Sequence, residues 1–312
     1  MYVAIDRSRA ETILNRFQNS SGIKVRAVYD AEAAKTTGLV ARLLTEADHP
    51  RCDVFWNNEL AQTCLLAQAG VLAAYESPAA QDIPTHGKPE SGLWTPVATR
   101  ARVIVYNSKH LAPAEVPRSI FELADPKWRG KVAIANPQFG TTKAHIAALF
   151  ATIGSNRAQQ FLGELLANDV QIVDGNAMVK NLVARHDESS GGVLIGLTDT
   201  DDVREGQAAN EPVEMILPDQ DTIGTFLCPC TVCLIEQAPH PATARALVDY
   251  LVSADVESML CGQASGYMAI RGGTIGAGQE GESTPRWFDI SDQQLLDKLE
   301  ESSRWTLEHF HR

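Results

Sequence analysis

The sequence predicts an α/β fold of two lobes, each a mainly parallel sheet flanked by helices, joined by two long crossing strands. Three observations carry this prediction. Short apolar runs alternate with segments of 3.6-residue apolar spacing, the rhythm of parallel strands linked by helices. Two runs, 97–106 and 226–235, are longer than the rest and bracket a second set of strand and helix signals. The 312 residues, 44% hydrophobic and 21% charged, suffice for two ordinary globular domains. The expected division is 1–100 plus 226–271 for one lobe and 101–225 plus 272–312 for the other, with a ligand cleft between them.

Residues 3–5 read as a strand, followed by a helix whose apolar positions Ala10, Ile13, Leu14 and Phe17 fall on one face. Ser20, Ser21 and Gly22 end that helix, and 23–28 read as the next strand. Leu39, Val40, Leu43 and Leu44 mark a second helix, 52–56 a third strand, and 60–68 a third helix closed by Gly70. In the second lobe, helices are expected at 118–125, 141–153, 158–167 and 177–185, and strands at 131–135, 170–173, 193–197 and 213–217. Helices at 242–252 and 295–307 close the chain, and the Gly-rich stretch 272–283 reads as a surface loop.

The net charge of −12 argues against a nucleic-acid partner, which requires a basic stripe. No apolar run reaches the roughly 18 residues of a membrane span. The chain begins almost directly with a strand and shows no signal peptide, as in a cytoplasmic protein or a mature chain whose leader has been removed. Its six cysteines are Cys52, Cys64, Cys228, Cys230, Cys233 and Cys261. The cluster "CPCTVC" lies inside the expected strand 226–235, where Cys228 and Cys230 share one face and Cys233 the other. No second cysteine pair or histidine spacing completes a zinc set, so these thiols read as small buried packing residues. A disulfide through Cys52 or Cys261 has no assignable partner.

The most informative stretch follows the strand at 193–197: Thr198, Asp199, Thr200, Asp201 and Asp202. In open α/β sheets, ligands bind at the carboxyl ends of strands. Carboxylates and hydroxyls there suit a cation or a donor-rich ligand, and equally suit a helix cap and first turn. Asp6 after the first strand, and Asn57 and Asn58 after the third, pose the same choice. After the second strand, Glu32 reads as a solvated loop charge. Thr36 and Thr37 read as caps or as amides facing an anion. Trp56 is either core or a cleft-lining aromatic. His145 and His186 read as ordinary helix residues. No G-x-S-x-G elbow, P-loop, G-x-G-x-x-G or Cys/His signature is present, so an enzyme is not expected.

Several segments together carry a resemblance: "SSGIKVRAVYD", "CDVFWNNE" at 52–59, "QAGVLAAY" at 68–75, "RARVIVYNSKHL" at 100–111, "LADPKWRGKVAIANP" at 123–137 and "PHPATARALVDYLVSADVE" at 239–257. Their order and spacing over about residues 2–271 resemble the bacterial periplasmic ferric-ion-binding proteins, solute-binding subunits of ABC importers. Members of the broader family bind iron, thiamine, phosphonates or sugar phosphates. The resemblance implies a two-lobed periplasmic-binding-protein fold (type II), a periplasmic or extracytoplasmic location, and a monomer. It also implies a membrane permease as partner, a metal ion as transported ligand and no organic cofactor. Closure would occur by a hinge near 98–103 and 225–228; a closed form could also be presented to a signalling receptor.

The resemblance also implies site residues. Asp6 stands where iron binders carry histidine, Asn58 where they carry glutamate, and Thr198 and Asp199 where they carry a tyrosine pair. A tyrosinate-rich ferric site is therefore absent. Arg100 stands at the position of an anion-binding arginine. Gly140, Thr141 and Thr142 stand at a helix start that grips the same anion, and Asn176 near a further anion contact. Tyr267 lies in a segment that the family places near its cleft. Two ligand chemistries follow. A hard cation on Asp6, Asp199 and Asp201, with a synergistic anion on the arginine and helix start, is the leading expectation. The alternative is a receptor for a small organic anion or zwitterion, such as a phosphonate or phosphate ester, seated on the same grip.

Overall fold

The computed structural model describes residues 1–29, 37–84, 88–89, 91–187, 191–262, 265–271 and 285–310, with the Thr37 side chain excepted. Glu32, Thr36 and the 272–283 stretch lie outside the described residues. The chain forms two compact units. The first takes the described residues of 1–99, 228–262 and 267–271, and the second those of 100–227, 265–266 and 285–310.

In the first unit, β1 (Tyr2–Val3) lies between β2 (Val28–Tyr29) and β3 (Val54–Asn57), parallel to both. The long returning strand β10 (Leu227–Ile235) runs antiparallel to β3 and carries β4 (Leu72–Ala73). Both faces of this sheet are covered, which is why its strands are apolar at most positions, Asn57 and Thr231 excepted. The alternation of side chains divides the core in two. Val3, Trp56, Val232 and Leu234 pack with Ile13, Leu14 and Phe17 of α1 (Arg7–Ser21), with α8 (Pro241–Leu251) and with α9 (Ala254–Leu260). Tyr2, Phe55, Cys233 and Ile235 face α2 (Thr37–Thr45) and α3 (Leu60–Gln68) instead. Trp56 is fully buried, so it is core and not a ligand-lining aromatic. The cysteines follow the same alternation, with Cys230 in one cluster and Cys233 in the other. All six are free thiols, five of them buried. Burial pushes the Cys52 and Cys233 thiols up to about 12, so both are inert packing groups.

In the second unit, β8 (Ile195–Asp199) lies between β5 (Thr95–Asn107) and β6 (Val132–Ala135). It is antiparallel to β5 and parallel to β6. Beyond them come β9 (Val213–Ile216) on β5 and β7 (Gln171–Val173) on β6. Ile104, Tyr106, Ile134, Ile195 and Leu197 build one core face with α4 (Gly140–Ile153) and α5 (Ser155–Ala167). Against the sheet also lie α6 (Asn176–Ala184) and α7 (Thr200–Ala208), and the C-terminal α10 (Asp292–His309) packs on α4. Gly196 marks a tight approach, since a Cβ there would lie 2.4 Å from Val179 Cγ1 and 2.9 Å from Ala133 O.

Three local expectations change. Of the expected strand at 23–28 only Val28 joins the sheet, followed by Tyr29. The Val25 N–H is taken instead by Gln18 Oε1 of α1 at 2.9 Å. The expected helix at 118–125 is a 3₁₀ segment, Ile120–Ala124, because Pro126 bars its continuation. His186 lies just past the end of α6, its ring edge-on to His110 with centroids 4.9 Å apart. Among the described residues, no helix is long and apolar enough to cross a membrane.

Candidate functional site

The site is built at the carboxyl end of β8. The β5–β8 register places Arg102 directly opposite Asp199. Strand periodicity puts Arg100 and Arg102 on the same face of β5. Arg102 is completely buried and Asp199 is 1% exposed. Such charges stay ionised in the interior only when paired and fully hydrogen-bonded.

The pairing is dense. Arg102 Nη1 donates to Asp199 Oδ1 at 2.7 Å and to Asn176 Oδ1 at 2.9 Å, and Nη2 donates to Leu197 O at 3.2 Å. Arg100 Nη1 donates to Asp199 Oδ2 at 3.1 Å and to Asp201 Oδ2 at 3.4 Å. Thr141 Oγ1 donates to Asp199 Oδ2 at 2.8 Å, and Asn176 Nδ2 to the same oxygen at 3.0 Å. Thr142 Oγ1 accepts from Arg102 Nη2 at 3.4 Å. Thr141 and Asn176 sit in the first turns of α4 and α6, neither of which has a side-chain cap. Helix starts of this kind favour negative charge.

This geometry sets aside the capping reading of Asp199. It occupies the N-cap position of α7, yet its carboxylate makes no cap hydrogen bond. Both oxygens turn instead into the arginine, threonine and asparagine cage. Burial pushes the Asp199 carboxyl up, but the charges of Arg102 and Arg100 and the hydrogen bonds from Arg102 and Thr141 outweigh it. The carboxyl is held below the usual range and is ionised.

Asp201 and Asp202 behave in the opposite way. They open α7, and one ligand oxygen from each of Asp199, Asp201 and Asp202 lies within 4.8 Å of the others. Burial, with the charge of Asp199, raises Asp201 against the pull of Arg100. Burial, with the charges of Asp201 and Asp199, raises Asp202 well above the usual carboxylate range. Thr198 Oγ1 lies 3.0 Å from both Asp202 Oδ2 and Asn176 O. Asp201 Oδ1 has no hydrogen-bond partner. The α7 start is also pinned by Thr200, whose Oγ1 donates to Gly266 O at 2.6 Å. A Cβ on Gly266 (φ +71°) would lie 2.3 Å from Asp201 Cα, so only glycine fits there.

Of the residues expected from sequence, the second unit brings together Arg100, Thr141, Thr142, Asn176, Thr198, Asp199 and Asp201. Gly140 (φ +55°) opens α4 beside them. The carboxylate trio expected from sequence was Asp6, Asp199 and Asp201, whereas the grouped trio has Asp202 in place of Asp6. Asp6 is exposed in the first unit and caps α1, its Oδ1 accepting from Ser8 N and Ser8 Oγ, both at 2.9 Å. Asn58 is partly buried in the bend after β3. The cap of α3 is Glu59 and not Asn57; Asn57 Nδ2 donates to Glu59 O at 2.6 Å and to Thr63 Oγ1 at 2.9 Å. Tyr267 is buried, with the Arg9 guanidinium 5.2 Å from its ring centre. His145 is a buried α4 residue stacked on Phe226 at 5.3 Å. Burial and Arg102 hold its imidazole down at about 3, and hence neutral.

Arg102 was not singled out in the sequence, and Asp202 was named only as part of the stretch after the strand, not among the expected metal ligands. The signal for Arg102 was available: a second arginine two positions after Arg100, entering the apolar run "VIVYN", is too costly to bury without a carboxylate opposite. Asp202 reads as an ordinary first-turn acid until the fold brings its oxygen back to Thr198.

Comparison with known proteins agrees with this architecture. The iron uptake protein A1 of Synechocystis is 24% identical over 291 residues, covering 91% of this chain and 78% of that protein. The Fe(3+)-binding periplasmic protein of Serratia marcescens is 24% identical over 262 residues, covering 83% and 75%. The solved ferric binding protein from Campylobacter jejuni superposes with a TM-score of 0.85 at 19% identity, over 98% of each chain, and so shares the fold. Residues 60–270 match the family described as bacterial extracellular solute-binding protein, and this chain belongs to that family.

Proposed function

We propose that this chain is the extracytoplasmic solute-binding subunit of an ABC importer and that its ligand is a hard metal cation of the ferric kind. The observation that carries the reading is the carboxylate trio Asp199, Asp201 and Asp202, with oxygens within 4.8 Å of one another. Two of its members, Asp201 and Asp202, hold protons more tightly than usual because they are buried and because negative charge is crowded there. A cation relieves the crowding that a proton otherwise relieves. Oxygen donors suit hard cations. Asp201 and Asp202 are the direct ligands in this reading, and Asp199 lies behind them as a fixed negative charge. The names of the two relatives above, an iron uptake protein and an Fe(3+)-binding periplasmic protein, support the same ligand class. A receptor for an organic phosphate or phosphonate has less support, because the arginine grip that such a ligand needs already holds Asp199.

Calorimetric titration of chelator-stripped protein with ferric nitrilotriacetate, zinc and calcium tests the reading. Saturable binding of a cation, with proton release and weaker affinity at about pH 5 than at pH 7, is expected. No binding of any metal, together with saturable binding of a phosphonate, would overturn it.

A further inference from the structure

We propose that Asp199 is a built-in anion: its carboxylate fills the anion grip of the second unit, so that the site takes its cation without a free anion beside it. This rests on the cation reading for its biological meaning, but its physical content stands on the cage alone. An ionised carboxylate offers two oxygens and about four acceptor positions. Asp199 Oδ1 takes Arg102, and Oδ2 takes Arg100, Thr141 and Asn176, at 2.7–3.1 Å. These donors are the set that a small external oxyanion would use: two guanidiniums and two side chains at helix starts. These bonds take up the Arg102 Nη1, Arg100 Nη1, Thr141 and Asn176 donors that a second anion would otherwise use, while Arg102 Nε keeps no partner. The chain supplies this carboxylate from the position that the resemblance assigns to a tyrosine of the metal site. One residue change then removes a metal ligand and replaces the anion.

A cation binder of this design is indifferent to carbonate, phosphate or citrate, apart from their competition for free metal. The carboxylate is tethered, so no separate anion has to be ordered when the cation binds.

The test opens the cage. In metal-free chloride buffer, Asp199→Ala leaves Arg100 and Arg102 facing each other without their carboxylate, and its thermal midpoint is expected to fall. Acetate or formate is then expected to restore much of that midpoint, saturably and at millimolar concentration. The same salts should leave the wild-type midpoint unmoved beyond the effect of matched chloride. Acetate that moves wild type and variant equally would overturn the proposal. So would a wild-type protein that itself binds phosphate or carbonate saturably. A second arm uses the wild-type protein alone: its affinity for ferric ion or zinc, corrected for competition, should be equal with and without added carbonate. An anion-dependent affinity overturns the built-in anion while leaving the cation reading intact. Anion rescue of Asp199→Ala without any metal binding sinks the cation reading and leaves the built-in anion intact.

Discussion

Arg102→Met is expected to destabilise the protein by about 3–5 kcal/mol, the cost of leaving a buried charge without its partner. Methionine fills much of the same volume, so the loss reports charge and hydrogen bonds more than packing. Asp199 would keep Arg100, Thr141 and Asn176, but lose the shortest contact of the cage, at 2.7 Å, and the charge that does most to hold it ionised. Chemical denaturation of the metal-free protein measures the effect. Adding Asp199→Leu to Arg102→Met should recover part of the loss, because the two residues are coupled and an apolar pair is tolerated where a lone charge is not. A loss below about 1 kcal/mol would mean that the pair is solvated and that the buried cage is wrong. The pH dependence has a fixed sign. Asp199 is held below its ordinary value, so its contribution is fully present above the unfolded carboxylate value of about 4 and is lost as pH falls through the folded value.

Asp202→Asn is expected to act in opposite directions on stability and on binding. Asp202 has its folded value raised well above the ordinary range by burial and by the charges of Asp201 and Asp199. A carboxyl raised in this way stabilises the fold below its unfolded value, and that stability is lost as pH rises through the folded value. At neutral pH the metal-free protein therefore carries an unfavourable acid. Asparagine keeps an oxygen for Thr198 and removes the charge, so the metal-free variant should gain on the order of 1 kcal/mol. The same change removes a cation ligand and should weaken metal binding by about 10-fold or more, on the order of 1.4 kcal/mol. Thermal unfolding across pH and a metal titration read the two effects separately. A variant that is less stable without metal and binds metal as well as wild type contradicts the assignment of Asp202.

The fold was legible because its signals are local. Tyr2, Val3, Phe55 and Trp56 are apolar at consecutive positions, which only a strand covered on both faces tolerates. Ile13, Leu14 and Phe17 repeat at helical spacing. The parts that were missed depend on partners distant in sequence. Residues 23–27 look like a strand, but the Val25 amide is taken by a side chain from α1. At the site, the sequence supplied both halves of the chemistry: carboxylates at one strand end, and an arginine with helix starts elsewhere. It did not reveal that the halves satisfy each other. That depends on a strand register, Arg102 against Asp199, which no local pattern encodes. Asp6 shows the reverse case. Its position after the first strand suggested a ligand or a cap, and its Oδ1 takes the Ser8 amide and hydroxyl as a cap does.

The most direct test of the central claim is the metal content of protein purified without chelator, measured by inductively coupled plasma mass spectrometry beside the Asp201→Asn, Asp202→Asn double variant. One metal ion per wild-type chain, with a large loss in the variant, is the predicted result. A metal-free wild-type protein, or equal metal in both, would contradict a cation site at the start of α7.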